Sequence, residues 1–597
     1  MSRFERIQER LEELSPIPVN MPKLYLLGDT GAGKTTIVRR ILGTEELKFP
    51  SVQQKRTTVA VTEYVLSRDL PYRATYLFKS EGQIGDLVGE ILEISIENAY
   101  AHYRKNTLSV DTVAENLEET PDERFRLRYI LTADQLEELA KEIIQFLPVL
   151  DATVKTLSSD LQSNEEELGV VVDLAIDQHK ETVTAAKAKI LDYIQSKVSE
   201  VCDGHRLFSD TDFFQHSSDD QESFVSKAKL LLSSAKNSIS PVVDYARLQG
   251  NLLAKWLPSN AELVLIDGEG IGHDTREASR LSARHLDYFH FADSIGLVEE
   301  CKKPFASGGK SAVEGIVRNG YSEKFHLIFT KLDEVEVGDS DGSNRADQIR
   351  AVKRGLVNVK NALKEDGADF DIGTERCYYL TGMNAGAIDK DSVSEVNRLL
   401  ASLKAKFDEV KPQFVEPFYD YEMISSYISK SSGSFTTKWN SMLHAKHWQT
   451  VKAFNRRMCW KWDGFRDMEP VVDFHAEVTR ELEYFIAHPM SWSESATPSM
   501  QAKSISKVKQ EFSKQLLAFA RMVILKKYGQ GWVNAMSLSG SGSASIRKNQ
   551  IQRILEDVLP DHRDPEAIKM KDSIKQLLGS AVVACKHNPA VHIGAAR

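Results

Sequence analysis

One eight-residue run near the N-terminus constrains this chain more than any other feature. Residues 28–35 satisfy the pattern G-x-x-x-x-G-K-S/T, with a strand-like run before them and a helix-like run after them. Glycines let successive backbone amides turn toward one anion, and the following helix offers N–H groups that have no partner within the helix. The run predicts a phosphate-binding loop formed by Gly28, Asp29, Thr30, Gly31, Ala32, Gly33, Lys34, Thr35 and the adjoining Thr36.

A second run, residues 263–270, is an apolar strand that ends in the pattern D-x-x-G. Set beside the phosphate loop, it predicts a Mg²⁺ site in which Thr35 contributes its hydroxyl and Asp267 acts through water. Lys34 is expected to reach the β- and γ-phosphates. The amide of Gly270 is expected to contact a γ-phosphate and to respond to its loss.

A third run, residues 325–333, is an apolar strand followed by Thr330-Lys331-Leu332-Asp333. Guanine presents an N1–H and N2–H₂ donor pair that adenine lacks, so a carboxylate placed against the base would select guanine. The run resembles the N/T-K-x-D motif of P-loop GTPases. That resemblance implies that Asp333 binds the guanine edge and that the stem of Lys331 lies over the ring. Thr381, in Leu380-Thr381-Gly382, matches the position where GTPases place a backbone contact to guanine O6.

The loop that closes over Mg²⁺ and the attacking water is expected to supply a threonine. GTPases place a threonine about twenty residues beyond the phosphate loop, and Thr58 occupies that place, with Thr57 as its neighbour. Arg56 is a candidate for an arginine that stabilises transition-state charge in cis. The alternative for each of these residues is a solvated loop position.

Two departures from the GTPase pattern concern hydrolysis. Small GTPases carry glutamine directly after D-x-x-G, and this chain carries Ile271, which has no hydrogen-bonding side chain. Dynamin-like GTPases instead place glutamine within the phosphate loop, where this chain has Thr30. Glu269 and His273 are alternative residues for positioning water. Slow basal hydrolysis is expected unless a second molecule completes the site.

The resemblance to the TRAFAC class of P-loop GTPases covers about residues 21–80 and 260–390. The size of the chain and its helical C-terminal region resemble the dynamin-like large GTPases, which do not normally carry an insertion between these two blocks. The resemblance implies Mg²⁺ as cofactor, GTP and GDP as ligands, and a homodimer or higher assembly through the GTPase domain.

At 597 residues, the chain is too long for one core. Apolar runs between helical segments predict an α/β domain with a mostly parallel sheet, interrupted by a helical insertion and followed by an all-α domain. The expected divisions are an N-terminal helix at 1–20, GTPase blocks at 21–80 and 256–412, the insertion at 81–255 and the helical domain at 413–597. The runs 57–66 and 72–78 are expected to pair as a hairpin.

Composition limits the possible partners. The net charge of −10 argues against the whole molecule as a polyanion binder, and five scattered cysteines indicate reduced thiols in a cytoplasmic protein. Gly309-Lys310-Ser311 lacks the leading glycine of a second phosphate loop and is expected to begin a helix. No run is long and apolar enough for a membrane span, so any membrane contact is expected to be peripheral.

The segment from Met423 to Trp462 contains no Asp or Glu but seven Lys or Arg residues, interleaved with aromatic residues that include Trp439, Trp448, Phe454, Trp460 and Trp462. Its aromatics are expected to pack inward with the cations in water. The alternatives are binding of single-stranded nucleic acid, binding of an anionic membrane, and docking against the acidic block 81–181. The apolar-basic run 516–528 is expected to be a buried helix, with a membrane-surface helix as the alternative.

These features support three functions. The leading hypothesis is a large GTPase whose switch movements rearrange helical domains and whose self-assembly stimulates turnover. The second is a GTP-gated scaffold with very slow hydrolysis, which Ile271 and Thr30 favour. The third is a nucleic-acid-linked ATPase, supported only by the aromatic-basic segment.

Overall fold

The computed structural model describes residues 2–51, 60–118, 125–157, 165–271, 281–305, 308–337, 344–365, 372–383, 386–409, 413–539, 542–560 and 565–587. Its strands are β1 (Lys23–Leu27), β2 (Val61–Leu66), β3 (Tyr72–Phe78), β4 (Phe213–Ser218), β5 (Val243–Gly250), β6 (Leu263–Asp267), β7 (Ser294–Glu300), β8 (Phe325–Thr330), β9 (Cys377–Tyr379), β10 (Pro417–Phe418) and β11 (Ser491–Trp492).

The helices of the N-terminal and central regions are α1 (Arg3–Leu14), α2 (Lys34–Leu42), α3 (Glu81–Arg104), α4 (Val110–Glu118), α5 (Leu127–Ile130), α6 (Ala133–Leu157), α7 (Glu165–Gln178), α8 (Lys180–Val201), α9 (Gln221–Leu232), α10 (Ala283–Phe291), α11 (Gly308–Arg318), α12 (Arg345–Glu365) and α13 (Lys390–Asp408). Those of the C-terminal region are α14 (Ile424–Ala445), α15 (Trp448–Cys459), α16 (Pro470–Ala487), α17 (Pro498–Arg521), α18 (Gly529–Met536), α19 (Ser543–Val558) and α20 (Pro565–His587).

Nine strands form one sheet in the order β4-β3-β5-β2-β6-β1-β7-β8-β9. Pairing is parallel from β6 through β1, β7 and β8 to β9, and between β2 and β5. It is antiparallel where β2 meets β6 and where β3 meets β5 and β4. The apolar strands β1 and β6 are buried along nearly their whole length, as expected for a sheet covered on both faces. A mostly parallel sheet accompanied by many helices agrees with the predicted fold class.

The predicted hairpin between β2 and β3 is wrong, because β5 lies between them. β5 runs parallel to β2 and antiparallel to β3, and both β5 and β4 come from the range predicted to be a helical insertion. Local turn patterns favour neighbouring strands, whereas β5 is held by an ion pair between residues far apart in sequence. The Nε of Arg247 donates to Oε2 of Glu63 at 2.6 Å, and both side chains are fully buried.

The N-terminal helix α1 packs onto the sheet. Ser2 and Glu5 form a capping box that begins the helix, and Leu11 is fully buried in the core. The amide of Gln8 donates to the buried Glu63 at 2.8 Å, and Glu12 accepts a hydrogen bond from Arg247. The predicted N-terminal helix therefore contacts β2 through Glu63 and β5 through Arg247.

Helices α3–α8, called the insertion here, follow β3, and helices α14–α20 form a bundle, called the arm. Trp439 and Trp532 are fully buried in the arm, and Phe454 lies between them. Leu516 and Ile524 are also fully buried, so the run 516–528 belongs to the core as predicted. A π-helical turn, Met522–Lys527, follows α17 directly.

Candidate nucleotide-binding site

The loop after β1 needs glycine at two positions. Gly28 has φ 148°, and a Cβ at that position would lie 2.3 Å from the carbonyl oxygen of Val298. Gly33 has φ 101° and precedes α2 as its N-cap. Positive φ values and close backbone approach are strained for other residues, so the sequence forces the turn that the phosphate-loop pattern predicts.

Lys34, the first residue of α2, folds back over this loop. Its buried ammonium group donates to the carbonyl oxygens of Gly28 at 2.6 Å and Asp29 at 3.0 Å. The N-terminus of α2 lies beside it and has backbone N–H groups that favour anions. The Lys34 ammonium and the N-terminus of α2 thus both adjoin the glycine loop.

Thr35 and Asp267 come together from different elements. The Thr35 hydroxyl donates to Oδ2 of Asp267 at 3.4 Å, and both residues are buried. They meet because β1 and β6 are parallel neighbours, with Leu26 in register with Asp267. A hydroxyl and a carboxylate side by side are hard oxygen donors of the kind Mg²⁺ prefers, so the donor set fits this ion.

The D-x-x-G loop lies directly against the phosphate loop. A Cβ on Gly270 would be 2.8 Å from the Thr30 hydroxyl and 3.6 Å from Nζ of Lys34. The next amide, that of Ile271, donates to the carbonyl oxygen of Gly28 at 3.1 Å, and the Ile271 side chain is fully buried. Position 271 is therefore a packing position, and its side chain does not reach the surface of the loop.

The T-K-L-D segment after β8 meets both the phosphate loop and the end of β9. The Thr330 hydroxyl donates to the carbonyl oxygen of Ala32 at 2.6 Å. Lys331 has φ 56° and forms an ion pair with Glu300. Oδ1 of Asp333 accepts a hydrogen bond from the amide of Gly382 at 3.1 Å. The Asp333 carboxylate and the amide of Gly382 therefore lie side by side.

Thr381 is bound differently from the neighbouring Gly382. Its amide donates to the Ser392 hydroxyl at 2.9 Å, and its hydroxyl donates to Asp389 at 2.6 Å. Both groups fasten the end of β9 to the N-terminus of α13. The amide that lies beside Asp333 is that of Gly382, one residue beyond the predicted contact.

Three acidic side chains lie at or beside the phosphate loop, and two of them, Glu299 and Glu300, were not singled out from the sequence. Oδ2 of Asp29 accepts from the amide of Gly308 at 3.2 Å, and burial raises the pKa of Asp29. Oε2 of Glu299 accepts from the amide of Phe305 at 2.8 Å, and burial raises the pKa of Glu299 to about 8. The Asp29 contact ties the phosphate loop to the start of α11, and Glu300 pairs with Lys331. The position of Glu299 and Glu300 at the end of β7 is the signal that could have identified these two residues.

Among the candidates for positioning water, Glu269 is in the described part of the chain, whereas Arg56, Thr57, Thr58 and His273 lie outside it. The Glu269 carboxylate forms an ion pair with Arg284 of α10. Its carbonyl oxygen lies 3.3 Å from Nε2 of His285, whose pKa burial lowers to about 4. His285 is therefore neutral near pH 7, and Glu269 is bound to α10.

Similarity to known proteins is confined to distant structural likenesses. No protein-family model and no curated protein matches the sequence. Two solved structures described as an oligomerised bacterial dynamin pair, with a mechanism for long-range sensing and tethering of membranes, are 10% identical to the chain. The first match covers 98% of this chain and 73% of that one, with a TM-score of 0.28. The second covers 97% and 75%, with a TM-score of 0.25, and likenesses this distant carry no argument about activity.

Proposed function

We propose that this protein binds and hydrolyses GTP with Mg²⁺ and that the nucleotide state is coupled to its helical arm. One observation carries the proposal: segments following four strands of one sheet, β1, β6, β8 and β9, meet at the edge where those strands end. Open α/β sheets bind ligands at this edge. The convergence of Lys34, the Thr35–Asp267 pair and Asp333 supports a nucleoside triphosphate as the ligand.

Guanine selection is proposed to come from Asp333 together with Gly382. The amide of Gly382 donates to the Asp333 carboxylate at 3.1 Å. A guanine base would replace that contact, with N1–H and N2–H₂ donating to Asp333 and the amide of Gly382 donating to O6. Adenine offers no matching donors at this edge, so its binding would leave a desolvated carboxylate without partners.

In the proposed reaction, Lys34 exchanges its loop carbonyls for the β- and γ-phosphate oxygens, and Thr35 and Asp267 hold Mg²⁺. The ion supplies neutralisation of charge on the transferring phosphoryl group. Gly270 donates its amide to the γ-phosphate, and loss of that phosphate removes this contact from the D-x-x-G loop. Thr58 and Arg56 remain proposals for closing the site and for stabilising transition-state charge.

Helix α10 provides the proposed route from this loop to the arm. Its first turn holds Glu269 through Arg284, and its middle presents Asp287 to Arg521 at the end of α17. The Arg521 guanidinium also binds Asp463, with nitrogen–oxygen distances of 2.7 to 2.9 Å to the two carboxylates. Burial lowers the pKa of Arg521, but Asp463 and Asp287 outweigh burial and hold it well above its ordinary value. A shift of the D-x-x-G loop would therefore pull on the arm just before its π-helical turn.

A GTP-gated scaffold with very slow hydrolysis is the second candidate. Buried Ile271 favours it, because neither that side chain nor Thr30 supplies the glutamine that orients water in related GTPases. The ATPase hypothesis has lost its support, because the aromatic-basic segment contributes to the arm core and to contacts with the insertion.

Turnover measured from nanomolar to tens of micromolar protein tests the first candidate against the second. An assembling GTPase hydrolyses faster per molecule as protein concentration rises. A flat profile excludes assembly-stimulated catalysis. GTP that stays intact for hours in a single-turnover assay establishes the scaffold.

A further inference from the structure

Arg40 is a buried arginine of α2 that lies outside the phosphate-loop pattern. Its Nε donates to the carbonyl oxygen of Met383 at 2.8 Å, and its Nη1 donates to that of Gly386 at 3.0 Å. Nη1 also donates to the carboxylate of Glu45 at 3.1 Å. One guanidinium therefore joins the helix that begins at the phosphate loop to the loop between β9 and α13.

A charged group at this place in the protein is costly to bury. The Arg40 side chain is 7% exposed, and its partners include two neutral carbonyl oxygens and the part-exposed Glu45. Taking a guanidinium out of water costs free energy that such partners offset only when they are well placed. An apolar side chain of similar length would fill the same space without that cost. The loop that Arg40 holds therefore explains this residue better than the stability of α2 does.

Helix α2 is itself firmly held in the domain. The buried Ile41 accepts a hydrogen bond from the amide of Ala254 on its carbonyl oxygen at 2.9 Å. Gly43 ends the helix with φ 61°, and a Cβ there would lie 2.7 Å from Cα of Ala254. The helical rise places Arg40 about 9 Å along the axis from Lys34. Arg40 therefore extends from a fixed element that begins at the phosphate loop, and such elements position a site more precisely than loops do.

The loop that Arg40 holds contains the proposed contact to guanine O6. Gly382, whose amide donates to Asp333 at 3.1 Å, directly precedes Met383 and has φ 55°. On the N-terminal side of Gly382, Thr381 is fastened to α13 by its amide and its hydroxyl. On the C-terminal side, Arg40 fastens the carbonyl oxygen of Met383 to α2. The direction of the Gly382 amide is therefore set between two anchors.

We propose that Arg40 is a positioning residue for recognition of purine O6, because it holds the loop between β9 and α13 on α2 so that the Gly382 amide faces the base. This role rests on the proposed function, since the amide contacts O6 only when a guanine base occupies the site. Loss of the Arg40 guanidinium releases the carbonyl oxygen of Met383 and removes the fixed direction of the Gly382 amide. Lys34 and Asp333 keep their own contacts, so the loss is confined to one edge of the base.

Three nucleotides that differ at O6 and N2 isolate this contact. Guanosine and inosine triphosphates both carry O6, and inosine lacks the N2 amino group, whereas 2-aminopurine riboside triphosphate carries that amino group and lacks O6. In Arg40→Met, affinity for the two nucleotides with O6 should fall together by about two- to tenfold, the net contribution of one hydrogen bond. Affinity for the 2-aminopurine nucleotide should stay at the wild-type value. Equilibrium binding in the presence of Mg²⁺ gives each affinity.

The neighbouring residue of the same helix provides the matched control. Arg39 donates its Nε to the carbonyl oxygen of Pro50 at 2.8 Å, so Arg39→Met removes the same charge from α2 and leaves Met383 held. Its ratio of affinities for GTP and the 2-aminopurine nucleotide should equal that of the wild type. Arg40→Lys keeps the cation but not the planar fork, and its ratio should lie between those of the wild type and Arg40→Met. Thermal unfolding checks each fold, and Arg40→Lys provides the test if Arg40→Met does not fold.

The wild-type affinities separate failure of this role from failure of the proposed function. Absence of a wild-type preference for GTP over ATP overturns the proposed function and, with it, the role of Arg40. A wild-type preference together with an unchanged ratio in the Arg40 variants overturns the role of Arg40 alone. The same conclusion follows if Arg40→Met weakens all three nucleotides equally, or if Arg39→Met lowers the ratio as much as Arg40→Met does.

Discussion

The proposed nucleotide edge of the sheet and the contact between the arm and the insertion both contain buried charged groups, but these groups have different partners. At the sheet edge, the Lys34 ammonium is bonded to backbone carbonyls of its own loop. At the contact, Lys452 and Arg456 are bonded to carboxylates of another part of the chain. The first arrangement holds a cation with neutral partners that an anionic ligand can replace. The second is already neutralised, so only movement of whole elements frees it.

Removing the Lys34 cation should have the largest effect and should act on one region alone. On the proposed function, Lys34→Ala lowers GTP turnover by about 10²–10³-fold, as loss of a group that stabilises transition-state charge does. Lys310→Ala is the matched control, because it alters the lysine of Gly309-Lys310-Ser311, which lacks the leading glycine of a phosphate loop. Steady-state turnover gives the ratio, and a turnover of Lys34→Ala equal to that of the control would contradict the role of Lys34.

Breaking the ion pairs of Arg521 with Asp287 and Asp463 should weaken the link between α10 and the arm without weakening GTP binding. Arg521→Leu leaves the largely buried Asp287 and the part-exposed Asp463 without their cation, and loss of one partner of a buried pair costs up to about 3–5 kcal/mol of stability. Arg480→Leu removes an exposed pair with Glu477 and should cost about 1 kcal/mol or less. Chemical denaturation measures both values.

GTP affinity provides the second measurement on the Arg521 variant. It should stay near the wild-type value, because the Arg521 ion pairs lie beyond α10 from the nucleotide edge. A large loss of affinity would show that the two regions are not separable in this way.

Two buried carboxyl groups, one in each region, predict a smaller effect of pH. The pKa of Glu97 is raised from 4.5 to about 8, so its proton stabilises the contact between the arm and the insertion fully below pH 4.5, and this stabilisation is lost as pH rises through 8. Asp173, Glu93 and Lys452 face the same group. Hydrogen exchange of α15 should therefore quicken from pH 6 to pH 9 beyond the intrinsic rate, and Glu97→Gln should remove that excess.

Glu299 offers the corresponding test at the nucleotide edge. Its pKa is also about 8, raised by burial, with Asp29, Glu300 and Lys34 as its charged neighbours. Ionisation adds negative charge beside the phosphate loop, so GTP affinity should fall between pH 7 and pH 9. Glu299→Gln should flatten the profile without changing hydrogen exchange in α15. A change in α15 would mean that the two regions are coupled through charge.

The same contrast explains what could be predicted from the sequence. Lys34 bonds to residues five and six positions away, so a local motif contains most of the phosphate loop. Asp267 and Asp333 follow apolar runs that parallel pairing brings to one edge. By contrast, Lys452 and Asp173 are 279 positions apart, and Glu63 and Arg247 are 184 apart.

No local sequence pattern identifies such distant partners. The sequence therefore does not predict β5, and it leaves the contact between the arm and the insertion as one alternative among several. Docking of the basic segment on the acidic block was among those alternatives, and the ion pairs of α15 confirm it within one molecule. The sequence does not predict that the amide beside Asp333 belongs to Gly382 and not to Thr381. The outcome depends on the Ser392 hydroxyl, which accepts a hydrogen bond from the Thr381 amide.

Nucleotide selectivity of the wild type and of Asp333→Asn tests the central claim most directly. The wild type should bind GTP about 100-fold or more tightly than ATP, since a site built for hydrogen-bond donors rejects a base that lacks them. Asp333→Asn should lose affinity for GTP and gain affinity for xanthosine triphosphate, whose C2 carbonyl oxygen accepts a hydrogen bond from the new side-chain amide. Wild-type preference for ATP, or an Asp333→Asn variant with unchanged GTP affinity, would contradict the assignment of this edge as a guanine nucleotide site.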